Sequence, residues 1–190
     1  MALEFKHRRF DIDEYMRLVD VGILHEGDRV ELLDGEIFEM SPIGNPHNRA
    51  VARLTRLLTT RFAEPYEILA QGSIKLNLHS MPEPDLAVLR PDALYYPERT
   101  LRMNDVVLLV EVAETSLRYD RLKKAPIYAR GGIAEYWILD LTGEALEIYR
   151  DPTPQRYDAF RRFVRGDLVD ATVLPGDPVP VDALLDRLPR

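Results

Sequence analysis

Two acids stand where buried strands should be apolar. Asp85 opens the run Leu86 to Leu89 in PEPDLAVL, and Glu111 interrupts Val106 to Val112 in DVVLLVEVAETS. Both runs are short, rich in β-branched residues and bounded by Pro, Asn and Ser, which is how buried strands read in a sequence. An ionised carboxylate in such a setting is costly unless a cation or a set of donors compensates it, and a metal ion is the most economical compensator. Glu31, at the start of another strand-like segment, is a third acid that could face a site shared with Asp85. Lys124 and Tyr128, four apart in YDRLKKAPIYARGG, fall on one helix face. His47 falls in the first turn of a helix, where histidine is ordinarily a polar surface residue; a site role requires that helix start to point at the acids. Plainer readings stand beside these. Lys124 can be a solvated charge, Glu111 can pair with an arginine such as Arg121, and Asp85 can cap a turn beside proline, although the cap leaves the second acid unexplained.

Other chemistries fail early. The sequence has no GxxxxGK[ST], GxGxxG, GxSxG or HExxH stretch, and its four histidines are scattered. It has no cysteine, which removes disulfides, zinc ribbons and thiol nucleophiles together and agrees with a reducing compartment. No apolar run approaches the ~20 residues that span a bilayer, and MALEFKHRRF lacks a secretory core, so the expectation is a cytoplasmic protein without a membrane partner. The net charge of −7 argues against general affinity for nucleic acid. Arg and Lys nonetheless cluster locally, at HRR 7–9, RLKK 121–124 and FRRFVR 160–165, which leaves room for a basic face.

The elements that must position these residues read as follows. Residues 10–24 predict an amphipathic helix capped by Asp11 or Asp13 and stopped near Gly22, with Tyr15, Leu18, Val19 and Val21 at helical spacing. Asp34-Gly35 predicts a type I′ hairpin turn within residues 29–40. A helix runs from Asn45 or Pro46 to about Phe62, with Val51, Leu54, Leu57 and Leu58 inward; Arg49, Arg53 and Arg56 form either a solvated stripe or a phosphate-facing ridge. Alternation from Ser73 to His79 predicts a half-exposed strand with Ile74, Leu76 and Leu78 inward. Residues 90–105 predict a long loop, a candidate flap or binding loop. Ser116 to Gly132 reads as a helix that Ser116 or Asp120 can cap and Gly131-Gly132 end; because Pro126 is tolerated only in a first turn, its regular part is expected to start near Leu122 or Lys123. Strands at 134–141 and 145–149 follow as a hairpin, then a further short hairpin in 156–174 and a last helix at 181–188. One domain of 190 residues is expected, with a core at about 10–150 and C-terminal strands and tail after it. The fold class is α/β with a mixed central sheet.

PEPDLAVL, LLVEVAETS and YDRLKKAPIYARGGIAEYWILDL, with ELLDGEIFEMSPIG before them, together resemble the Uma2 family (also described as DUF820) of the PD-(D/E)XK nuclease superfamily over roughly residues 10 to 150. The resemblance implies a restriction-endonuclease-like sheet flanked by helices, and a Mg²⁺- or Mn²⁺-dependent endonuclease hydrolysing DNA phosphodiester bonds. It makes Pro84-Asp85 the PD and Glu111 the acid of the next strand. The superfamily lysine expected two residues later is missing, since residue 113 is Ala; Lys124 in DRLKK holds the position to which Uma2-like sequences have moved it. Asp85, Glu111 and Lys124 are then the catalytic set. Asp85, Glu111 and the Val112 carbonyl would hold the metal, Glu31 a second metal or outer position, and His47 and Tyr128 support. A homodimer is expected, since compact nucleases without a targeting domain often pair to cut both strands, with the flat apolar hairpins as the contact. The alternative is a nuclease fold that has lost turnover and serves as a binding or regulatory module, which the acidic charge favours.

Overall fold

The computed structural model describes residues 7–25, 27–40, 42–62, 65–95, 99–174 and 176–185. A six-stranded sheet runs in the order β3-β4-β5-β6-β7-β8, comprising Glu67–Ala70, Leu86–Leu89, Val106–Ala113, Glu135–Asp140, Ala145–Pro152 and Tyr157–Val164. All neighbours are antiparallel except β5 and β6. That parallel pair requires a crossover, and the helical segment 117–130 supplies it. The fold is therefore the expected mixed α/β sheet flanked by helices.

β4 and β5 are buried along their whole length because both faces are covered. On one face α2 (Asn45–Phe62) lays Ala50, Leu54, Leu58 and Phe62 against Leu86, Val88, Leu108 and Val110. This is the helix expected from spacing, with Val51 also buried and Leu57 partly so. On the other face α4 (Ala125–Arg130) packs Ala125, Tyr128 and Ala129 over Ala87, Leu109 and Ile138. A smaller cluster joins α1 (Ile12–Asp20) to the hairpin β1 (Val30–Leu33) and β2 (Glu36–Glu39) through Ile12, Tyr15 and Leu32. The hairpin turns as expected, with Asp34 and Gly35 both at positive φ (51° and 79°).

Several expectations are corrected. Asp11 caps α1 through a capping box with Glu14, and Ile12 and Tyr15 are its buried residues; Val21 lies past the helix end, 69% exposed, because Gly22 (φ 72°) turns the chain away. The expected strand at 73–79 is displaced to β3. Ile74 and Leu76 are buried as expected, but a tight turn in which Leu76 and Asn77 N–H both donate to the Ser80 carbonyl leaves Leu78 exposed. Arg53 is no phosphate ridge: its guanidinium donates to the carbonyls of Leu184 and Leu185, closing the end of α5 (Val181–Leu185). The expected last turn at 186–188 lies outside the described residues. The 90–105 loop is folded back by a two-bond Arg99–Asp105 fork and ends in the 3₁₀ turn Met103–Asp105; its residues 96–98 lie outside the described ones. Finally, 157–164 joins the main sheet against β7, while β9 (Leu168–Val169) pairs with β10 (Val179–Pro180).

Candidate active site

The β4–β5 ladder pairs Leu86 with Val110 and Ala87 with Leu109. Asp85 precedes Leu86 and Glu111 follows Val110, so the pair that ends the ladder brings both acids to the same end of it, where they line one cleft. Glu111 faces α4, whose Tyr128 it meets. Asp85 is fixed by two contacts on one oxygen: the Val112 N–H donates to Oδ2 at 2.8 Å, and His47 Nε2 lies 3.0 Å from it. His47 Nδ1 is buried without a partner among the described residues. An orphaned lone pair costs less than an orphaned N–H, so the tautomer with the proton on Nε2 is the better assignment and His47 donates to Asp85. The start of α2 thus points at the acids.

Glu111 is anchored at its other side. Its Oε1 accepts from Lys124 Nζ at 2.9 Å and from the Tyr128 hydroxyl at 2.7 Å. The same ammonium lies 3.3 Å from Glu31 Oε1, and Glu31 further accepts from the Tyr119 hydroxyl at 3.0 Å and the Glu83 N–H at 3.2 Å. Glu31 is fully buried, unlike the exposed Glu36 and Glu39 of its hairpin partner. Arg121 takes no part: it forks onto buried Glu147.

Lys124 reaches this position through an unexpected device. Helix begins at Leu117 with Ser116, one of the two expected caps, in the cap position, but five residues before the regular start expected from Pro126; it runs through α3 (Leu117–Tyr119) and a π-helical turn (Asp120–Lys124) and continues into α4. In the turn Ala125 N–H bonds to the Asp120 carbonyl, five residues back. This wider spacing lets a helix pass Pro126, which has no N–H and whose ring crowds an α-helical carbonyl four residues earlier. The extra residue rotates Lys124 and Asp120 inward, both at most 4% exposed.

Electrostatics follow from burial and crowding. Desolvation acts against the Lys124 ammonium, but Glu111, Glu31 and Asp120 outweigh it and hold its pKa well above the ordinary lysine value. Lys124 is therefore a cation in this arrangement. Burial pushes Glu111 upward against the pull of Lys124. Asp120, buried and accepting from the Ser116 hydroxyl at 2.6 Å, is pushed up to about 6, chiefly by desolvation. Burial likewise raises Tyr119 and Tyr128. A cleft of about 610 Å³ is lined by Glu31, His47, Asp85, Glu111, Val112, Tyr119, Asp120 and Lys124, with Arg29, Glu39, Glu83 and Glu114 adding charge. Tyr128 is not in the wall but stands behind Glu111. Tyr119, Glu83 and Asp120 were not singled out for the site in the sequence. Asp120, four before Lys124, carried a usable signal; Tyr119 and Glu83 carried none, since their part depends on where the hairpin folds.

The sequence model of the Uma2 family, described as "Putative restriction endonuclease", matches residues 12–181. The chain belongs to the Uma2 family. The Uma2 fold is seen again in the crystal structure of a putative nuclease belonging to DUF820 from Anabaena variabilis ATCC 29413, which shares 15% identity, has a TM-score of 0.69 and is matched over 92% of this chain and 97% of that one. The type IIG restriction endonuclease BpuSI is similar over 75% of this chain and 15% of its own, at 16% identity and a TM-score of 0.41, too slight to carry an argument. No curated protein matches.

Whether this Uma2 cleft fits a divalent cation turns on its oxygens. Among the described residues, no three His, Asp or Glu side chains form a ready metal cage. Asp85 and Glu111, however, each concentrate their protein contacts on one oxygen, Oδ2 and Oε1, leaving Oδ1 and Oε2 without a protein donor among the described residues. Two hard carboxylate oxygens suit magnesium, which takes few protein ligands and keeps several waters. The donor set fits.

Proposed function

We propose that this Uma2 protein is a Mg²⁺- or Mn²⁺-dependent endonuclease that hydrolyses DNA phosphodiester bonds. One observation carries the reading: Asp85 and Glu111, remote in sequence, meet in one cleft at the end of the β4–β5 ladder with a lysine ammonium 2.9 Å from the second acid. That juxtaposition supports the PD-(D/E)XK assignment, with Lys124 arriving from the helix in place of the lysine that Ala113 lacks. Asp85, Glu111 and the Val112 carbonyl would hold the cation, and Glu31 a second or outer position. A bound cation would supply charge neutralisation at the phosphate and an acidified water. His47 and the Val112 N–H orient Asp85 so that its free oxygen faces the cleft. Tyr128 fixes Glu111. Lys124, being charged, donates to the phosphate or orients the attacking water rather than removing its proton.

The test is cleavage of supercoiled plasmid with Mg²⁺ or Mn²⁺. Wild type is expected to nick it, and Asp85→Asn, which keeps the size of the side chain and one acceptor oxygen but loses the charge, to lose about 100-fold or more, since even outer-shell changes at metal sites cost 10–100-fold. One feature favours a second reading. Lys124 is already engaged by Glu111 and Glu31, an arrangement suited to an inert fold that binds without cutting. Metal bound but no cleavage of supercoiled, linear or single-stranded DNA would select that reading.

A further inference from the structure

β8 is the outer strand of the six-stranded sheet, and among the described residues no strand pairs with its far side. It is eight residues long with no proline or glycine to blunt it, the kind of open edge that natural sheets usually protect. Phe160 at its middle is 54% exposed. The Val164 N–H is already committed to Asp167 in the turn that ends the strand, so the usable edge is 157–163, whose midpoint is Phe160.

We propose that two copies of this chain pair through β8, antiparallel about a two-fold axis at Phe160, continuing the sheet across the dimer. Side-chain direction restricts the choice. A two-fold axis perpendicular to the sheet must pass through a residue facing its own copy, because residues of opposite pleat cannot stand opposite each other. Centring on Asp158 or on Arg161 or Arg162 sets like charges face to face, and centring on Ala159 sets Arg156 against the partner's Arg162. Centring on Phe160 sets Asp158 against the partner's Arg162 twice and Phe160 against itself. Opposite charges and aromatic pairs are the cross-strand contacts that stabilise sheets. Asp158 is 54% exposed and, among the described residues, bridged to Arg156, itself 76% exposed; Arg162 is 42% exposed, 4.0 Å from Glu147, and donates to the Gly143 carbonyl at 3.1 Å, a contact that one end of its guanidinium would keep in the dimer. The dimer expected from sequence thus gains a surface, and that surface is the edge of β8 rather than the face of a hairpin. It does not depend on the proposed chemistry.

The absence of cysteine makes the test clean. In the full-length chain, Phe160→Cys places two thiols on the axis within disulfide reach, whereas Asp158→Cys places its pair four residues out of register. Under mild oxidation Phe160→Cys is expected to give a covalent dimer on a non-reducing gel and Asp158→Cys to remain monomeric. Equal cross-linking of the two would overturn the proposal. Sedimentation equilibrium is expected to show a wild-type dimer in the micromolar range. Asp158→Arg should weaken it about tenfold or more and Asp158→Arg with Arg162→Asp should restore it. A wild-type monomer at the highest soluble concentration, or a dimer indifferent to Asp158→Arg in a chain whose melting temperature is unchanged, would also refute it.

Discussion

Replacing Lys124 by methionine keeps the length of the stem and removes only the ammonium. In the native protein that ammonium, 5% exposed, lies 2.9 Å from Glu111 and 3.3 Å from Glu31, whose side chains are 4% and 0% exposed. The variant leaves two buried acids sharing one site with no cation. Removing one member of a buried ion pair costs about 3–5 kcal/mol, because the partner stays buried and uncompensated. In a chain of this size each kcal/mol moves the midpoint by about 2–4 °C, so Lys124→Met should melt roughly 6–20 °C below wild type near pH 8. The deficit must depend on pH. Burial already raises Glu111 with Lys124 opposing it, so without the lysine it rises further. A folded-state acid pKa above the unfolded value means the native state binds more protons than the unfolded one, and stability then falls as pH rises through that interval. The gap between variant and wild type should therefore be narrow near pH 5 and widen toward pH 8. Thermal melts of both proteins across that range measure it. A variant as stable as wild type at pH 8, or a deficit of equal size at both ends, would refute the claim that the lysine neutralises these acids.

Mn²⁺ at about 100 times its dissociation constant should stabilise the wild type by about 2.7 kcal/mol, and Asp85→Asn should abolish most of that gain without lowering the metal-free melting temperature by a comparable amount; an equal Mn²⁺ shift in both proteins would remove Asp85 from the metal set. Asp120, raised from 3.8 to about 6 by burial, opposes folding increasingly as pH climbs through that window. Asp120→Asn, which still accepts from Ser116, should flatten the stability curve there by up to about 2–3 kcal/mol. Parallel urea titrations of the two proteins between pH 4 and 7 measure the difference, and superimposable curves would count against the burial argument.

The parts of the fold readable in the sequence were those whose signal is local. The Asp34-Gly35 turn demands positive φ, the apolar spacing of Val51, Leu54 and Leu58 has one helical reading, and β4 and β5 are runs that only a doubly covered strand can bury. What failed was set by distant partners. The alternation at Ser73 to His79 is genuine for Ile74 and Leu76, yet pairing in this region goes to Glu67–Ala70 because Leu69 and Ala70 find Ala87 and Leu86 in register. Arg53 looked like one charge in a stripe because the carbonyls it closes lie 131 and 132 residues away.

The site divides the same way. Asp85 and Glu111 were conspicuous because each is an acid in an apolar run, an inconsistency between residue and environment that the sequence itself displays. Lys124 was not inconsistent with anything, since a lysine on a helix is ordinarily solvated. Its burial depends on a π turn that nothing local announces: Pro126 alone reads as a helix start, but a five-residue hydrogen bond from Ala125 to Asp120 carries the helix past it. The same turn divides its side chains between two buried acids on neighbouring parts of the sheet, Lys124 to Glu111 on β5 and Arg121 to Glu147 on β7. A proline that reads locally as a helix start thus marks the place where the helix widens, and the widening accounts for a lysine reaching an acid thirteen residues earlier.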